Sequence, residues 1–591
     1  MVVLIKSRIQ SLILLSLFFP NTLIKGQTTE SLPLKVTYPA FGDTFALDHV
    51  WIAGYTDPDA RLTISGSQVK VYPHGAFVSR VNLEPLLNRI SLKADKNGQI
   101  AEEILFIYRL PDKKPIPRYP LKIDDESVYP DEDIWLRRGD DFEVEFRGSP
   151  GARATVNVEK IGKNIPMLES PVGETHAMPG VYTGVVIVPH DVPIRPLEIK
   201  VELRDENQKV QAKAPGRAII LPDNVPIIGK ILKETYFFAD CRNYSPIQRM
   251  TEGIPVHIIG KFDSRYKVLL ARNRAVFVDQ KAVKLQPLGS QIPNSDINAP
   301  TITTTKEWYK LSMAVETPLP YTVEQQIDPV SLDLFLYGAR LSSHWITYPN
   351  NRLEISHIDF AFPSEGILKI HIALDQKQLW GYKVAFEDKS LNLYIRRSPP
   401  PVTTHTHPTQ GLIFAIDPGH GGSQDGALSP IGIKEKDINM LWARYLAEYL
   451  RNAGATVILT RERDEDKELQ ERIDIARRAD AHIFVSLHNN SAGPAGNVLA
   501  ARGTSTYFTM PQAKDLAWTI YPYLVNLGLT PYGRVYNSYY VTNTPDMITV
   551  LLEGAFLSNP EDEQLLMNEQ FVRKMANAVF EGITAYIIKY R

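Results

Sequence analysis

Hydrophobic and polar positions fall into two different patterns along the chain. As far as about residue 397, short stretches of β-branched and aromatic residues alternate with Gly, Pro and Asp turn signals, which predicts strands. Val36-Thr37-Tyr38, Val50-Trp51-Ile52, Arg61-Leu62-Thr63-Ile64 and Ile104-Leu105-Phe106-Ile107-Tyr108 predict a β-sandwich over 33–111. A second sandwich is expected over 130–222. Asp57-Pro58-Asp59-Ala60-Arg61-Leu62-Thr63 is echoed by Ser149-Pro150-Gly151-Ala152-Arg153-Ala154-Thr155, and His74-Gly75-Ala76-Phe77 by Pro179-Gly180-Val181-Tyr182. Further strand pattern covers 225–288 (Val256-His257-Ile258-Ile259, Tyr266–Leu270, Ala275–Val278) and 298–397 (Trp308–Leu311, Leu332–Leu336, Leu368–Ile372, Leu391–Ile395). The Pro-rich run Ser398-Pro399-Pro400-Pro401 opens a linker expected over 398–410, in which His405 and His407 are read as solvated polar residues.

From Gly411 the period changes. Leu412–Ile416, Val457–Leu459, Ile483–Leu487, Thr504–Phe508 and Ile548–Leu552 are strand-like. Ile438, Leu441, Trp442, Tyr445, Leu446, Tyr449 and Leu450 recur at helical spacing up to Gly454. Leu469, Ile473, Ala476 and Ala479 share a helix face, Leu516, Ile520 and Leu524 mark another helix, and Phe571–Ile588 a closing one. Such alternation predicts an α/β domain over 411–591 with a mostly parallel sheet covered by helices. The fold class is thus multidomain, several small all-β modules followed by one α/β domain.

Composition narrows the chemistry. At 44% hydrophobic and 22% charged the chain is globular, and a net charge of −2 gives no reason to expect nucleic acid as a partner. Cys241 is the single cysteine, so any metal site must use His and carboxylates. Lys6 and Arg8 precede an apolar run, Ile9–Phe19, too short to span a bilayer but suited to a signal peptide over 1–26, cleaved near Gly26–Gln27 or retained as an anchor. Either way an exported protein of the periplasm or cell envelope is expected.

Four polar residues then stand out. His420 follows the first α/β strand in Asp417-Pro418-Gly419-His420-Gly421-Gly422, and Glu435 opens the first long helix. His488 ends a later strand in Ser486-Leu487-His488-Asn489-Asn490, and Glu553 another in Val550-Leu551-Leu552-Glu553-Gly554. Ligands of such sheets sit beyond the carboxyl ends of the strands, where these residues converge. Two imidazoles with a carboxylate suit a catalytic zinc that keeps a position for water, and a second carboxylate can move the proton. Gly419, Gly421 and Gly422 are expected to let the first loop fold tightly. No Gly-Lys-Ser/Thr follows them, which excludes a phosphate loop. His482 is read as structural.

These motifs, in this order, resemble the N-acetylmuramoyl-L-alanine amidases, as do Leu-Leu-Glu-Gly-Ala-Phe-Leu-Ser-Asn-Pro-Glu-Asp (551–562), Thr460-Arg461 with Asp464, and Leu469 with Arg472 and Ala476. The resemblance implies that His420, Glu435 and His488 bind Zn2+ and that Glu553 is the general base and acid. It implies peptidoglycan as substrate, cut between N-acetylmuramic acid and L-alanine for wall remodelling or daughter-cell separation. Asp417 and Asn490 are expected to orient the ligands. The chain departs from the family pattern at Ile548, where Pro is usual, at Gly554, often Thr, and at Asn489, usually small. The stretch from Tyr507 to Tyr540 leaves no room for the plugging helix of some members, so an open site is expected. The β modules resemble immunoglobulin-like domains, a bacterial Src-homology-type barrel (225–288) and an amidase N-terminal targeting domain (298–397), which implies wall targeting or an envelope activator as partner.

Two other functions fit the same residues. A zinc peptidase acting within the stem peptide would use the same metal chemistry, and a silent wall-binding adaptor would use only the β modules. Only the amidase frees the amino group of L-alanine.

Overall fold

The computed structural model describes residues 31–111, 116–170, 179–346, 348, 354–401 and 407–591. The expected signal segment 1–26 and His405 lie outside the described residues. The chain is multidomain, β-rich through residue 396, with a mixed sheet and helices thereafter.

A three-stranded sheet (Leu34–Tyr38, His49–Thr56, Ala76–Asn82) and a five-stranded sheet whose long strands are Leu86–Lys96 and Gln99–Arg109 share a core that includes Ile52, Leu62, Phe77, Leu92 and Ile107. The echoed segments occupy equivalent turns. The Thr56 amide donates to Gly75 O at 2.9 Å, and the Gly148 amide donates to Gly180 O at 2.8 Å. At each glycine φ is positive, and an added Cβ would lie 2.3 or 2.2 Å from the carbonyl of the same partner residue. The same close approach therefore demands glycine in both copies.

A seven-stranded sheet follows, from Ile123–Tyr129 to Lys209–Lys213. The next sheet, of ten strands, crosses the 222/225 division. Ile134–Leu136, Pro196–Leu197 and Ala218–Ile220 join strands of Ile227–Leu285, with Trp135 paired to Lys261. One apolar cluster then runs from Phe237, Val256 and Val268 into Leu311, Leu334, Ile370 and Leu393, so 225–288 and 298–397 share a core.

The α/β part is built on a six-stranded sheet: β1 (Ile413–Pro418), β2 (Thr456–Leu459), β3 (Ile483–Asn490), β4 (Thr504–Phe508), β5 (Pro531–Tyr536) and β6 (Ile548–Phe556), in the order β2-β1-β3-β6-β4-β5. It is mixed. Pairs β1/β2, β1/β3, β3/β6 and β4/β5 run parallel, while β4/β6 is antiparallel. The sequence pattern missed β5, whose Pro531-Tyr532-Gly533-Arg534-Val535-Tyr536 is exposed or half-exposed along its length and has no apolar run. Helices α1 (Glu435–Asn452), α3 (Lys514–Val525) and α5 (Glu569–Tyr590) bury Trp442, Leu446, Ile520 and Ile583 against one face of the sheet. Helix α2 (Leu469–Arg478) buries Ile473 and Ala476 with Ala415 and Phe484. Leu469, expected on the buried face, is 51% exposed, because it is the first residue of α2 and stands on a cavity rim. Asn559 caps α4 (Pro560–Leu566) by accepting from the amides of Glu561 and Asp562.

The β modules are not strung loosely ahead of this domain. Trp380 is fully buried within the α/β core, with its ring 6.4 Å from that of Tyr586. Arg396 pairs with Asp480 at 2.6 Å, and the Tyr382 amide donates to Pro545 O at 2.9 Å. At the end of the expected linker Thr409 is buried and donates to Ala453 O at 2.8 Å, whereas His407 is exposed.

Candidate metal centre and catalytic cavity

Parallel pairing sets the site. β1, β3 and β6 end at one edge of the sheet, and His488 on β3 is the register partner of Glu553 on β6. His420 lies two residues beyond β1 with φ +60, a left-handed conformation that few non-glycine residues adopt. Glu435, the first residue of α1, reaches both imidazoles. Its Oε2 is 3.1 Å from His420 Nε2, and its Oε1 is 3.0 Å from His488 Nδ1. The two rings stand edge to face, 4.9 Å apart.

One ligand atom from each of the three lies within 4.8 Å of the others. That spacing fits a tetrahedral divalent ion with bonds of roughly 2.0–2.2 Å, and two imidazole nitrogens with a carboxylate are zinc donors.

Glu435 is held on every side. Its Oε1 accepts from the Asn489 amide (3.0 Å) and Asn439 Nδ2 (3.1 Å), and its Oε2 from the Ala427 amide (2.7 Å). Burial alone would raise this carboxyl, but hydrogen bonds and charge from His420 and His488 outweigh it and hold Glu435 far below the carboxylate range. Glu553 shows the opposite balance. Burial, with the Glu435 charge adding to it, pushes its carboxyl well above the ordinary value, and its Oε2 is buried without a partner.

Two glycines make room for the ligands. At Gly419 a Cβ would lie 2.2–2.6 Å from three atoms of the His488 ring. The sequence suggested a conformational role there, but what Gly419 supplies is space; the left-handed glycines of this loop are Gly421 and Gly422. At Gly426 a Cβ would meet Glu435 Oε2 at 2.4 Å and His420 Cδ2 at 2.6 Å.

Asp417 acts through Arg472. Fully buried, it accepts from Arg472 Nη1 (2.8 Å), Thr460 Oγ1 (2.5 Å) and Ser486 Oγ (2.7 Å), while Arg472 Nη2 donates to His420 O at 2.8 Å. Burial opposes ionisation of Asp417, yet Arg472 and the two hydroxyls keep its carboxyl below the usual range. Arg461 donates to Pro418 O and Gly419 O, and Asp464 accepts from the Gly422 amide and Lys436. Asn490 Oδ1 accepts from the Ser491 amide. The orienting amides belong to Asn489 and Asn439, one residue earlier on β3 and one turn along α1. Helical spacing from Glu435 could have flagged Asn439. His482, ahead of β3, is buried and accepts from the Ile413 amide, and burial lowers it to about 3.

A cavity of about 440 Å³ opens over His420, His488 and Glu553, walled by Leu469, Tyr539 and Tyr540. Tyr540 was not picked out from sequence, because its place on the rim is set by contacts distant along the chain.

Residues 414–585 match the family model described as N-acetylmuramoyl-L-alanine amidase. An uncharacterized Bacillus subtilis protein, YqiI, is 34% identical over 191 residues, 32% of this chain and 90% of that protein. The chain belongs to this amidase family. The N-acetylmuramoyl-L-alanine amidase LytC of Bacillus subtilis is 34% identical over 205 residues, which span 33% of this chain and 40% of LytC. The solved catalytic domain of CwlV, an N-acetylmuramoyl-L-alanine amidase from Bacillus (Paenibacillus) polymyxa, is 33% identical over 30% of this chain and 99% of its own, with a TM-score of 0.29. The family relationship therefore rests on the α/β domain. Within that amidase domain the two unusual residues beside the ligands touch. A Cβ at Gly554 would lie 2.3 Å from Met575 Cε, 2.9 Å from Asn489 Oδ1 and 3.0 Å from Trp442 Cζ3, so these three side chains together leave no room for one at 554.

Proposed function

We propose that this amidase cuts the bond between N-acetylmuramic acid and L-alanine in peptidoglycan, with zinc held by His420, Glu435 and His488 and with Glu553 as general base and acid. The observation that carries the reading is the meeting of two imidazoles and a carboxylate beside the half-buried Glu553 carboxyl, whose Oε2 is unpaired, at one sheet edge in a domain of this family. Zinc in such a site supplies Lewis acidity, polarising the scissile carbonyl and acidifying water.

The protein's own groups do the rest. Asn439 and the amides of Asn489 and Ala427 fix Glu435, and Arg472 fixes the His420 loop, so the ligands are pre-oriented. Glu553 Oε2 takes the proton of the attacking water and delivers it to the leaving nitrogen. We place the protein in the cell envelope after export, with the β modules spacing or targeting it and offering the surface for an activator. Among the described residues no helix is long and apolar enough to cross a membrane.

The test uses the full chain, because Trp380 forms part of the amidase core. Purified peptidoglycan is incubated with wild type and Glu553→Ala, with and without a chelator. New L-alanine amino groups are expected from wild type alone, and only without chelator. Amino groups on other stem residues would establish a peptidase instead. No release even with added zinc would establish an adaptor.

A further inference from the structure

A slot of about 270 Å³ lies between the first β-sandwich and the amidase domain. Tyr38, Trp51 and Val78 of the three-stranded sheet form one wall, and Gly426, Leu428 and Ser491 of the amidase domain the other. The slot adjoins the metal centre, because Gly426 packs against Glu435 and His420, and Ser491 directly follows the strand that carries His488.

The contact between the two units is built rather than incidental. Thr37 Oγ1 donates to Pro430 O at 2.7 Å. His74 Nε2 lies 2.9 Å from Glu563 Oε2, whose other oxygen accepts from the Ile431 amide at 2.9 Å, and the Glu563 side chain is fully buried. Trp51 and Val78 pack on Val498. The sandwich thus holds its aromatic residues at a fixed place against the amidase domain. The Trp51 indole N–H is buried without a partner.

On the amidase reading, the substrate leaves the scissile amide in two directions, as glycan and as stem peptide. The two arms differ in charge. A stem peptide carries carboxylates and amino groups, whereas the N-acetylhexosamine adjoining the muramic acid has no ionisable group and presents C–H faces that stack on aromatic rings. None of the described residues lining the slot is charged, and most of its lining is carbon. The cavity over His420, His488 and Glu553 is lined by Glu468 and Arg472 besides its tyrosines. Burying an unpaired ionic group in the slot would be costly, while a neutral ring loses little there.

We propose that the first β-sandwich completes a glycan subsite, in which Trp51 and Tyr38 stack the N-acetylhexosamine adjoining the muramic acid whose amide is cut. The module is thereby part of the substrate cleft as well as an attachment to it.

The test has a binding arm and a kinetic arm. Full-length Glu553→Gln is titrated with peptide-free peptidoglycan glycan strands and, separately, with free stem tetrapeptide, following tryptophan fluorescence. Trp51→Ala and Tyr38→Ala, in that background, are expected to weaken glycan binding by about three- to tenfold, with Trp51→Phe restoring most of it. With Glu553 restored, the same substitutions should raise KM on polymeric peptidoglycan and leave hydrolysis of N-acetylmuramoyl-dipeptide, which lacks the adjoining sugar, unchanged. Equal losses on both substrates, unchanged glycan binding in both alanine variants, or quenching by the tetrapeptide alone would overturn the proposal. If wild type cleaves neither substrate, the amidase reading fails, and the glycan titration still decides the slot by itself.

Discussion

The carboxamide of Asn489, with Met575 and Trp442, closes the space that a side chain at Gly554 would need; Asn489 and Gly554 lie on neighbouring strands β3 and β6, immediately after His488 and Glu553. Gly554→Thr alone should overpack the core and cost about 1–3 kcal/mol. Combined with Asn489→Ser it should cost less than the sum of the single changes, by about 1 kcal/mol. Urea denaturation of the four proteins measures this, and strict additivity would refute the coupling.

Gly419 lies under the His488 ring, with no room for a methyl group. Gly419→Ala should displace the imidazole and lower zinc affinity by roughly 10–100-fold, the loss typical when a ligand's support is disturbed. Competition with a metal-sensitive dye gives the affinity. Unchanged affinity in a folded variant would mean the ring has another place to go.

Burial and the Glu435 charge tie the stability of the fold to the protonation of Glu553. Its folded-state carboxyl is raised above the unfolded value, so the folded state binds its proton more tightly. Any stabilisation from this is present below the unfolded pKa of about 4.5 and is lost as pH rises above it. In metal-free protein, Glu553→Gln should therefore be more stable than wild type at pH 7, with the gap closing near pH 4. Peptidoglycan hydrolysis should fall by about 10²–10⁴-fold. Denaturation in chelator at the two pH values would refute the assignment if the gap does not change.

Arg249, on the strand Pro246–Met250, donates to Gln470 Oε1 at 2.5 Å and contacts Glu234, and Tyr540 donates to the same Gln470 oxygen at 2.6 Å. The ten-stranded sheet thus braces a wall of the catalytic cavity. Arg249→Met should destabilise the chain by about 2 kcal/mol through the lost charged hydrogen bonds. It should also raise KM several-fold with a smaller change in kcat. A variant that is destabilised but has unaltered KM would restrict Arg249 to a purely architectural role.

The sequence by itself determined the parts whose rules are local. Apolar period separated strands from helices in 411–591, and short motifs carried His420, Glu435, His488 and Glu553. Their meeting was foreseeable because the carboxyl ends of parallel neighbours β1, β3 and β6 share one edge. Local pattern also marked the repeated turns, since Gly75 and Gly180 each face a backbone carbonyl too closely for any Cβ. Only the tertiary structure decided the antiparallel β4/β6 pair, the edge strand β5, and the hydrogen bonds from Asn489 and Asn439 to Glu435. It alone showed Trp380 in the amidase core, Arg249 bracing Tyr540 through Gln470, and Trp51 packed on Val498 of the amidase domain. The physical reason is range. Periodicity and turn chemistry act within a few residues, whereas these contacts join residues up to hundreds of positions apart, and their energy depends on shape and charge complementarity that no local pattern records.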